Sequence, residues 1–204
     1  MSSIDAEALY RALLEQIRAA YGEQLGEQLG EQLGEQLGEQ LGEQLGEQLG
    51  EQLGEQGGAD GIVLAGIYSG GAWLVERLAR DLNAGSFGVV NVALHRDDYA
   101  KKGLYAQASP TSLPFEVDNR RIVLVDDVLY TGRTVRAALN ELYDYGRPAS
   151  VELAVLADRG GRELPVAARF VGGVVDVPAE ATLVLARDDT ADQHFTFHTE
   201  ARAD

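Results

Sequence analysis

The segment from Ile122 to Val135 constrains the fold more than any other part of the chain. It begins with four apolar residues, Ile122 to Val125, whose β-branched content is typical of a buried parallel strand. Two adjacent carboxylates, Asp126 and Asp127, come next. A short loop then leads into a helix, which is predicted by the spacing of its apolar residues (Val135, Ala138, Leu139 and Leu142). This order predicts an α/β fold with a mostly parallel sheet, whose carboxyl edge binds the ligand.

The loop after the acidic pair consists of Thr131, Gly132, Arg133 and Thr134. It surrounds a helix N-terminus, where unpaired N–H groups and the helix dipole favour a phosphate. Gly132 permits torsions that a side chain would resist, and the two threonines add hydroxyl donors. The loop is therefore a candidate phosphate site.

Asp126 and Asp127 are hydrogen-bond acceptors when ionised, so they suit sugar hydroxyls or a magnesium-bound diol. A site that holds a phosphate at one end and a diol at the other fits a phosphorylated ribose. The alternative is a buried strand and a helix whose acidic pair has no function. A P-loop is excluded, because the chain has no Gly-x4-Gly-Lys-Ser/Thr motif.

The repeat from Gly22 to Gly57 dominates the composition. It contains eight copies of Gly-Glu-Gln-Leu and a closing Gly-Glu-Gln-Gly. It carries nine Glu and no Lys or Arg, so nine of the 16 net negative charges lie there and the rest of the chain has −7. That acidic remainder argues against a broad nucleic-acid surface.

The repeat also divides the chain into an N-terminal helix (1–21), the repeat (22–57) and one domain (58–204). Glycine at every fourth position disfavours a helix, and leucine at a period of four winds around it. We expect low-complexity sequence without chemistry; a coiled-coil partner site is the alternative. The N-terminal helix should begin at Asp5, with Leu9, Leu13 and Ile17 in its apolar stripe.

The cellular compartment is predicted from three features that the sequence lacks. The chain has no Cys, no run of 18 apolar residues and no signal-peptide pattern at its start. We therefore expect a cytoplasmic protein without disulfides.

A second strand–turn–helix unit precedes the acidic motif. Residues Gly61 to Ile67 predict a buried strand, and Ala72 to Leu82 predict a helix. Between them lie Tyr68, Ser69, Gly70 and Gly71, a turn whose amides are placed to bind an anion. A tight turn without a ligand is the plain alternative.

Two further connections carry charged residues. The predicted strand Gly88–Leu94 is followed by Arg96, Lys101 and Lys102 in a long segment of the kind that often forms a lid. The predicted strand Ser150–Ala157 ends in Asp158, Arg159 and Arg162. This second loop leaves the same sheet edge as the acidic pair. Short strands are predicted near Phe170, Thr182 and Phe195.

The acidic motif resembles the signature of the type I phosphoribosyltransferases. The stretches 94–102, 123–136 and 153–165 together resemble one subfamily, the pyrimidine operon attenuation regulators that are also uracil phosphoribosyltransferases. The likeness covers residues 60 to 175, and the first helix more loosely. Purine-salvage relatives carry Asp where this chain has Tyr130. The resemblance implies a small hood and a flexible hairpin beside the parallel sheet.

The resemblance assigns roles to the residues above. It implies that Asp126, Asp127 and Arg96 are catalytic, with magnesium held indirectly by the acidic pair through the substrate. It implies contacts to 5-phosphoribosyl-1-pyrophosphate from 131–134, 68–71 and Arg96. It further implies base contacts from Asp158 and Arg159.

The implied reaction joins uracil to the ribose phosphate, giving uridine 5′-monophosphate and pyrophosphate. The implied partners are pyrimidine operon leader RNA, bound by Arg159 and Arg162, and a second copy of the chain in a dimer. An RNA-binding regulator with little or no turnover is the alternative. The chain departs from its relatives at Ser69-Gly70-Gly71, where Thr-Arg-Gly is common, and at Gly161, where the RNA surface would carry His.

Overall fold

The computed structural model describes residues 4–22, 24–25, 61–92, 110–188 and 194–201. The predictions for Arg96, Lys101 and Lys102, for the hairpin and for repeat residues 26–57 lie outside these ranges. Within the described residues, no helix is both long and apolar enough to cross a membrane. The cytoplasmic location stays a prediction.

A parallel sheet forms the centre of the described structure. Its strands are β1 (Ile62–Ile67), β2 (Phe87–Val90), β3 (Arg121–Leu129), β4 (Ser150–Asp158) and β5 (Phe170–Val174), in the order β2-β1-β3-β4-β5. All four strand pairs are parallel. Because strand order reverses between β1 and β3, this topology opens a crevice at their carboxyl ends, where ligands bind in such folds. The predicted α/β class is confirmed.

Helices cover both faces of the sheet. They are α1 (residues 6–22), α2 (Gly70–Leu82) and α3 (Arg133–Tyr145). Val123 and Val125 of β3 share a buried cluster with α1 and α2, whereas Ile122 and Leu124 share one with α3. Successive residues of a strand point to opposite faces, which explains why β3 is apolar on both sides.

Helix α1 follows its predicted pattern. The side chain of Asp5 accepts the Ala8 N–H at 2.9 Å, and Leu13 and Ile17 are fully buried. Leu25, the last residue of the first repeat unit, is also fully buried in the cluster with α1 and α2. The Leu25 side chain therefore packs with the domain, and the division into three segments stays a prediction.

A separate two-stranded antiparallel sheet, which we call the hood, is formed by β6 (Ala181–Arg187) and β7 (Phe195–Ala201). Phe195 is buried beside Tyr10 of α1, with ring centroids 5.7 Å apart. Arg187 forms an ion pair of 2.7 Å with Glu76 of α2. The hood thus packs on the α1 and α2 side of the main sheet.

Three predicted boundaries differ from the structure. Strand β2 ends at Val90, whose pairing with Ile67 is the last between β1 and β2. Helix α2 begins at Gly70 and not at Ala72. Strand β3 continues past Val125 to Leu129, since its pairing with β4 runs on to Asp158. The acidic pair therefore lies within a strand and not after it.

Candidate active site

A cavity of about 350 Å³ opens at the carboxyl ends of β1 and β3. Seven of the residues predicted from the sequence line it: Tyr68, Ser69, Gly70, Asp126, Asp127, Thr134 and Arg159. The remaining wall comes from Val128, Tyr130 and the hood residues Ala181, Thr182, Leu183 and Val184. The sheet edge chosen from sequence is thus the one that carries a cavity.

The acidic pair projects to both sides of β3. Asp126 is 5% exposed, and its carboxylate accepts the Asp127 N–H at 3.1 Å. The carboxylate of Asp127 accepts the Val128 N–H at 2.9 Å and lies against Gly70, where α2 begins. Both carboxylates are therefore oriented by backbone amides while they border the cavity.

The start of α2 lies so close to the acidic pair that it requires glycine. A Cβ on Gly70 would be 2.4 Å from Oδ2 of Asp127. Gly71 is buried and does not line the cavity; a Cβ there would be 2.3 Å from the Val125 carbonyl oxygen. Of the two predicted glycines, Gly70 borders the ligand space and Gly71 allows the helix to rest on β3.

The loop before α3 has the geometry that its sequence predicted. Gly132 is the N-cap of α3 with φ of 89°, a value that favours glycine. Thr134 lines the cavity, whereas the Thr131 hydroxyl accepts the Arg133 N–H at 3.3 Å. Arg133 is exposed and pairs with Glu163 at 2.6 Å. Thr134 thus borders the cavity, and the contacts of the other residues shape the loop.

The segment after β4 is held to the end of β3 by Arg162. Its guanidinium forms an ion pair with Asp158 and donates to the carbonyls of Leu129 and Tyr130 at 3.3 and 3.0 Å. Asp158 and Arg162 do not line the cavity. Their predicted contacts to base and RNA stay predictions, while the structure shows both side chains fastening the loop.

The resemblance implied a hood, but sequence reasoning missed that hood residues 181–184 line the cavity. Residues 182–186 were predicted as a strand, but no local signal shows that a separate small sheet closes the main cavity. Tyr130 was noted as a difference from purine-salvage relatives without a place in the site. Its position directly before the loop 131–134 was a usable signal, since Thr131 follows it.

The cavity brings two helix N-termini and two carboxylates together. The N-termini of α2 and α3 both open onto it, and each places partial positive charge there. Asp126 and Asp127 lie between these helix ends, where carboxylates accept hydroxyl protons. The arrangement suits a sugar that carries phosphate groups at two positions.

Comparisons with known proteins agree with this geometry. The family model described as a phosphoribosyl transferase domain matches residues 34–182. A "Bifunctional protein PyrR" of Ralstonia nicotianae is 62% identical over 140 residues, covering 68% of this chain and 80% of the relative. A "Bifunctional protein PyrR" of Nitrosococcus oceani is 51% identical over 129 residues, covering 62% of this chain and 73% of the relative.

A solved hypoxanthine phosphoribosyltransferase of Staphylococcus aureus has a similar fold. Its TM-score is 0.50 at 15% identity, over 84% of this chain and 75% of that chain. The chain described here therefore belongs to the phosphoribosyl transferase domain family. Within that family it is a type I phosphoribosyltransferase of the PyrR subfamily, which confirms both the fold and the resemblance predicted from sequence.

Proposed function

We propose that this phosphoribosyltransferase transfers the phosphoribosyl group of 5-phosphoribosyl-1-pyrophosphate to uracil. The observation that carries the proposal is the placement of two oriented carboxylates between two helix N-termini around one cavity. The high identity to proteins named "Bifunctional protein PyrR" supports the pyrimidine assignment. The products are uridine 5′-monophosphate and pyrophosphate.

The substrate is held at three places in this proposal. The loop 131–134 and the N-terminus of α3 bind the 5′-phosphate, and Asp126 and Asp127 accept the ribose hydroxyls. The turn 68–71 and the N-terminus of α2 bind the pyrophosphate, with Arg96 as a further predicted contact. Uracil lies toward Tyr130 and the hood, the end of the cavity that Arg159 also borders.

The reaction makes one bond and breaks one bond at C1 of the ribose. The C1–oxygen bond to pyrophosphate breaks as N1 of uracil bonds to C1, and the N1 proton leaves to solvent or to pyrophosphate. Positive charge develops on the ribose, which the two carboxylates stabilise, and negative charge develops on pyrophosphate, which the α2 N-terminus stabilises. Positioning and electrostatics supply the catalysis, without a dedicated general base.

Magnesium is the proposed cofactor, and the donor set fits an indirect mode of binding. The described residues contain no cluster of three or more side chains that would hold a metal ion by themselves. Asp126 and Asp127 would hold the ion through the substrate, with water completing its shell. When bound, magnesium neutralises charge on pyrophosphate, which this chain needs because its 68–71 turn lacks the Arg common among relatives.

The function is tested by measuring pyrophosphate release from the purified protein with 5-phosphoribosyl-1-pyrophosphate, magnesium and uracil. We expect turnover with uracil and little with cytosine, hypoxanthine or guanine. Asp127→Asn should lower kcat/KM for the sugar diphosphate about 100-fold, since a lost charged hydrogen bond costs roughly 3 kcal/mol. Asp144→Asn, an exposed change at the far end of α3, is the matched control.

Two results would contradict the proposal: no turnover with uracil by folded protein, or full turnover by the Asp127→Asn variant.

The name "bifunctional" of the relatives supports leader RNA as a second partner, with Arg159 and Arg162 as predicted contacts. A regulator with little turnover is the less favoured alternative. A salt-dependent gel shift with pyrimidine leader RNA tests the RNA partner, and failure to bind at low salt eliminates it.

A further inference from the structure

Arg159 connects three parts of the molecule at the base end of the cavity. Its backbone N–H donates to the Leu129 carbonyl at 3.1 Å, which fixes it beside the end of β3. Its guanidinium carbon lies 4.2 Å from the centroid of the Tyr130 ring. Its Nη1 donates to the Ala181 carbonyl at 2.9 Å, and its Nη2 donates to the Pro178 carbonyl at 3.0 Å. One side chain therefore joins the ends of β3 and β4 to the hood.

The hydrogen-bonding capacity of this guanidinium is directed at the start of the hood and at the segment just before it. A third carbonyl, that of Val177, lies 3.5 Å from Nη2. The Nε atom is buried and has no hydrogen-bond partner among the described residues. Its donors therefore point to backbone oxygens of residues 177–181 or into packed structure.

The same contacts determine where one wall of the cavity stands. Ala181 begins β6, whose first four residues line the cavity. Tyr130 lines it directly before the phosphate loop. A planar guanidinium between an aromatic ring and two carbonyls is a rigid spacer, which an ammonium group does not reproduce. The distance between the hood wall and the end of β3 therefore depends on this side chain.

We propose that Arg159 is a positioning residue, which sets the width of the base end of the cavity through the hood and does not itself bind the base. This inference deepens the proposed function and rests on it for the identity of the base. In this inference Arg159 does not contact uracil and affects uracil affinity only indirectly. The ribose and phosphate contacts lie on the other elements and should be unaffected.

The hood contact is tested first without substrate, so that the result does not depend on catalysis. Amide hydrogen exchange should be faster in residues 177–184 of Arg159→Ala than in the parent protein, and unchanged in β1 and β3. Arg187→Ala is the matched control, because Arg187 stacks 5.3 Å from the Trp73 ring and joins the other end of β6 to α2. Unchanged exchange in 177–184 would overturn the inference.

Steady-state kinetics then test the consequence for the base. Arg159→Ala should raise KM for uracil about tenfold and leave KM for 5-phosphoribosyl-1-pyrophosphate within about twofold. Arg159→Lys should recover only part of the loss, and added guanidinium should recover more of it in the Ala variant. An equal rise in both KM values, or an equal effect of Arg187→Ala, would contradict the inference.

A base analogue separates positioning from direct contact. If Arg159 bonded a uracil carbonyl, replacing uracil by 4-thiouracil or 2-thiouracil would penalise the parent protein and not Arg159→Ala. For a positioning role, the ratio of kcat/KM between uracil and each thio analogue should be the same in both proteins. If the parent protein shows no turnover at all, the proposed function fails, while hydrogen exchange still decides the role of Arg159.

Discussion

Gly70 and Gly71 are adjacent, yet they constrain the molecule in different ways. The atom nearest a Cβ at Gly70 is the tip of a side chain, Oδ2 of Asp127, whereas the atom nearest one at Gly71 is a backbone oxygen of β3. Turning the Asp127 carboxylate relieves most of the first contact and leaves Cβ of Asp127 at 2.9 Å, whereas a strand in the middle of a sheet cannot turn away. Gly70 therefore leaves room for the Asp127 carboxylate, and Gly71 allows α2 to pack closely on β3.

This contrast predicts opposite results for two alanine substitutions. Gly70→Ala should displace the Asp127 carboxylate and lower kcat/KM for 5-phosphoribosyl-1-pyrophosphate at least tenfold, with a smaller loss of stability than Gly71→Ala. Gly71→Ala should lower the free energy of unfolding by about 1–3 kcal/mol, because the helix must move off β3. Urea denaturation and pyrophosphate release measure the two effects.

Each variant is the control for the other. Alanine favours a helix by about 1 kcal/mol over glycine, so propensity alone would make both variants more stable. Equal activity losses, or a stabilised Gly71→Ala protein, would show that the close approaches do not matter.

At the scale of elements, Arg77 and Glu7 hold α1, α2 and the hood together. Arg77 of α2 donates to Glu7 of α1 at 2.7 and 2.9 Å and lies 4.1 Å from the Tyr10 ring centroid. Glu7 also accepts the Phe195 N–H at the start of β7, at 2.8 Å. A single carboxylate therefore links elements that are far apart in sequence.

The titration of Glu7 should appear in the stability of the protein. Burial by itself would raise the pKa of Glu7, but hydrogen bonds from Arg77 and the Phe195 amide, with the charges of Arg77 and His194, outweigh it and lower the pKa below 4.5. A lowered pKa stabilises the fold above the unfolded pKa near 4.5, and this contribution is lost as the pH falls through the folded pKa.

Glu7→Gln should therefore lower the free energy of unfolding by about 1–2 kcal/mol at pH 7. The difference from the parent protein should shrink as the pH falls below 4.5. Urea denaturation from pH 3.5 to 7.5 measures it. Glu15→Gln, an exposed change on the same helix, is the control and should show no such trend. A difference that is constant over the whole range would refute the role of this carboxylate.

At the scale of the whole molecule, the segment that carries the repeat begins after Tyr21 and ends before Gly61, and both of these residues contact Arg121. Arg121, the first residue of β3, donates from its side chain to the Tyr21 hydroxyl at 3.1 Å and from its backbone to the Gly61 carbonyl at 3.3 Å. Asp126 is five residues further along the strand, roughly 17 Å away at the usual rise. The segment is thus anchored at the sheet edge opposite the cavity.

This placement predicts tolerance to the number of repeat units. Deleting residues 38–53, four identical units, leaves Leu25 and Gly61 with unchanged neighbours in sequence. Halving such a connection changes its closure free energy by only about 0.6 kcal/mol. We expect unfolding free energy to change by less than about 1 kcal/mol and uracil turnover to stay the same.

Leu25→Ala provides the contrast for that deletion. Although it changes one residue, it removes a fully buried side chain and should cost about 2–5 kcal/mol. Urea denaturation of both variants compares them. A deletion variant that loses as much stability as Leu25→Ala would mean that further units pack on the domain.

The sequence by itself determined the elements of the site and their chemistry. Continuous apolar runs predicted β1 and β3, helical patterns predicted α2 and α3, and the acidic pair and glycine turns predicted that their ends bind the ligand. These signals are local, because they reflect strand and helix geometry within about ten residues. They were sufficient to predict a phosphorylated ribose at this sheet edge.

The tertiary structure alone decided which side chains meet there. It extended β3 through Asp126 and Asp127, separated Gly70 from Gly71 in role, and directed Arg159 toward the carbonyls of Pro178 and Ala181. It also placed the hood over the cavity. The physical reason is that these contacts join segments with no sequence pattern in common, so their pairing depends on the packing of the whole chain.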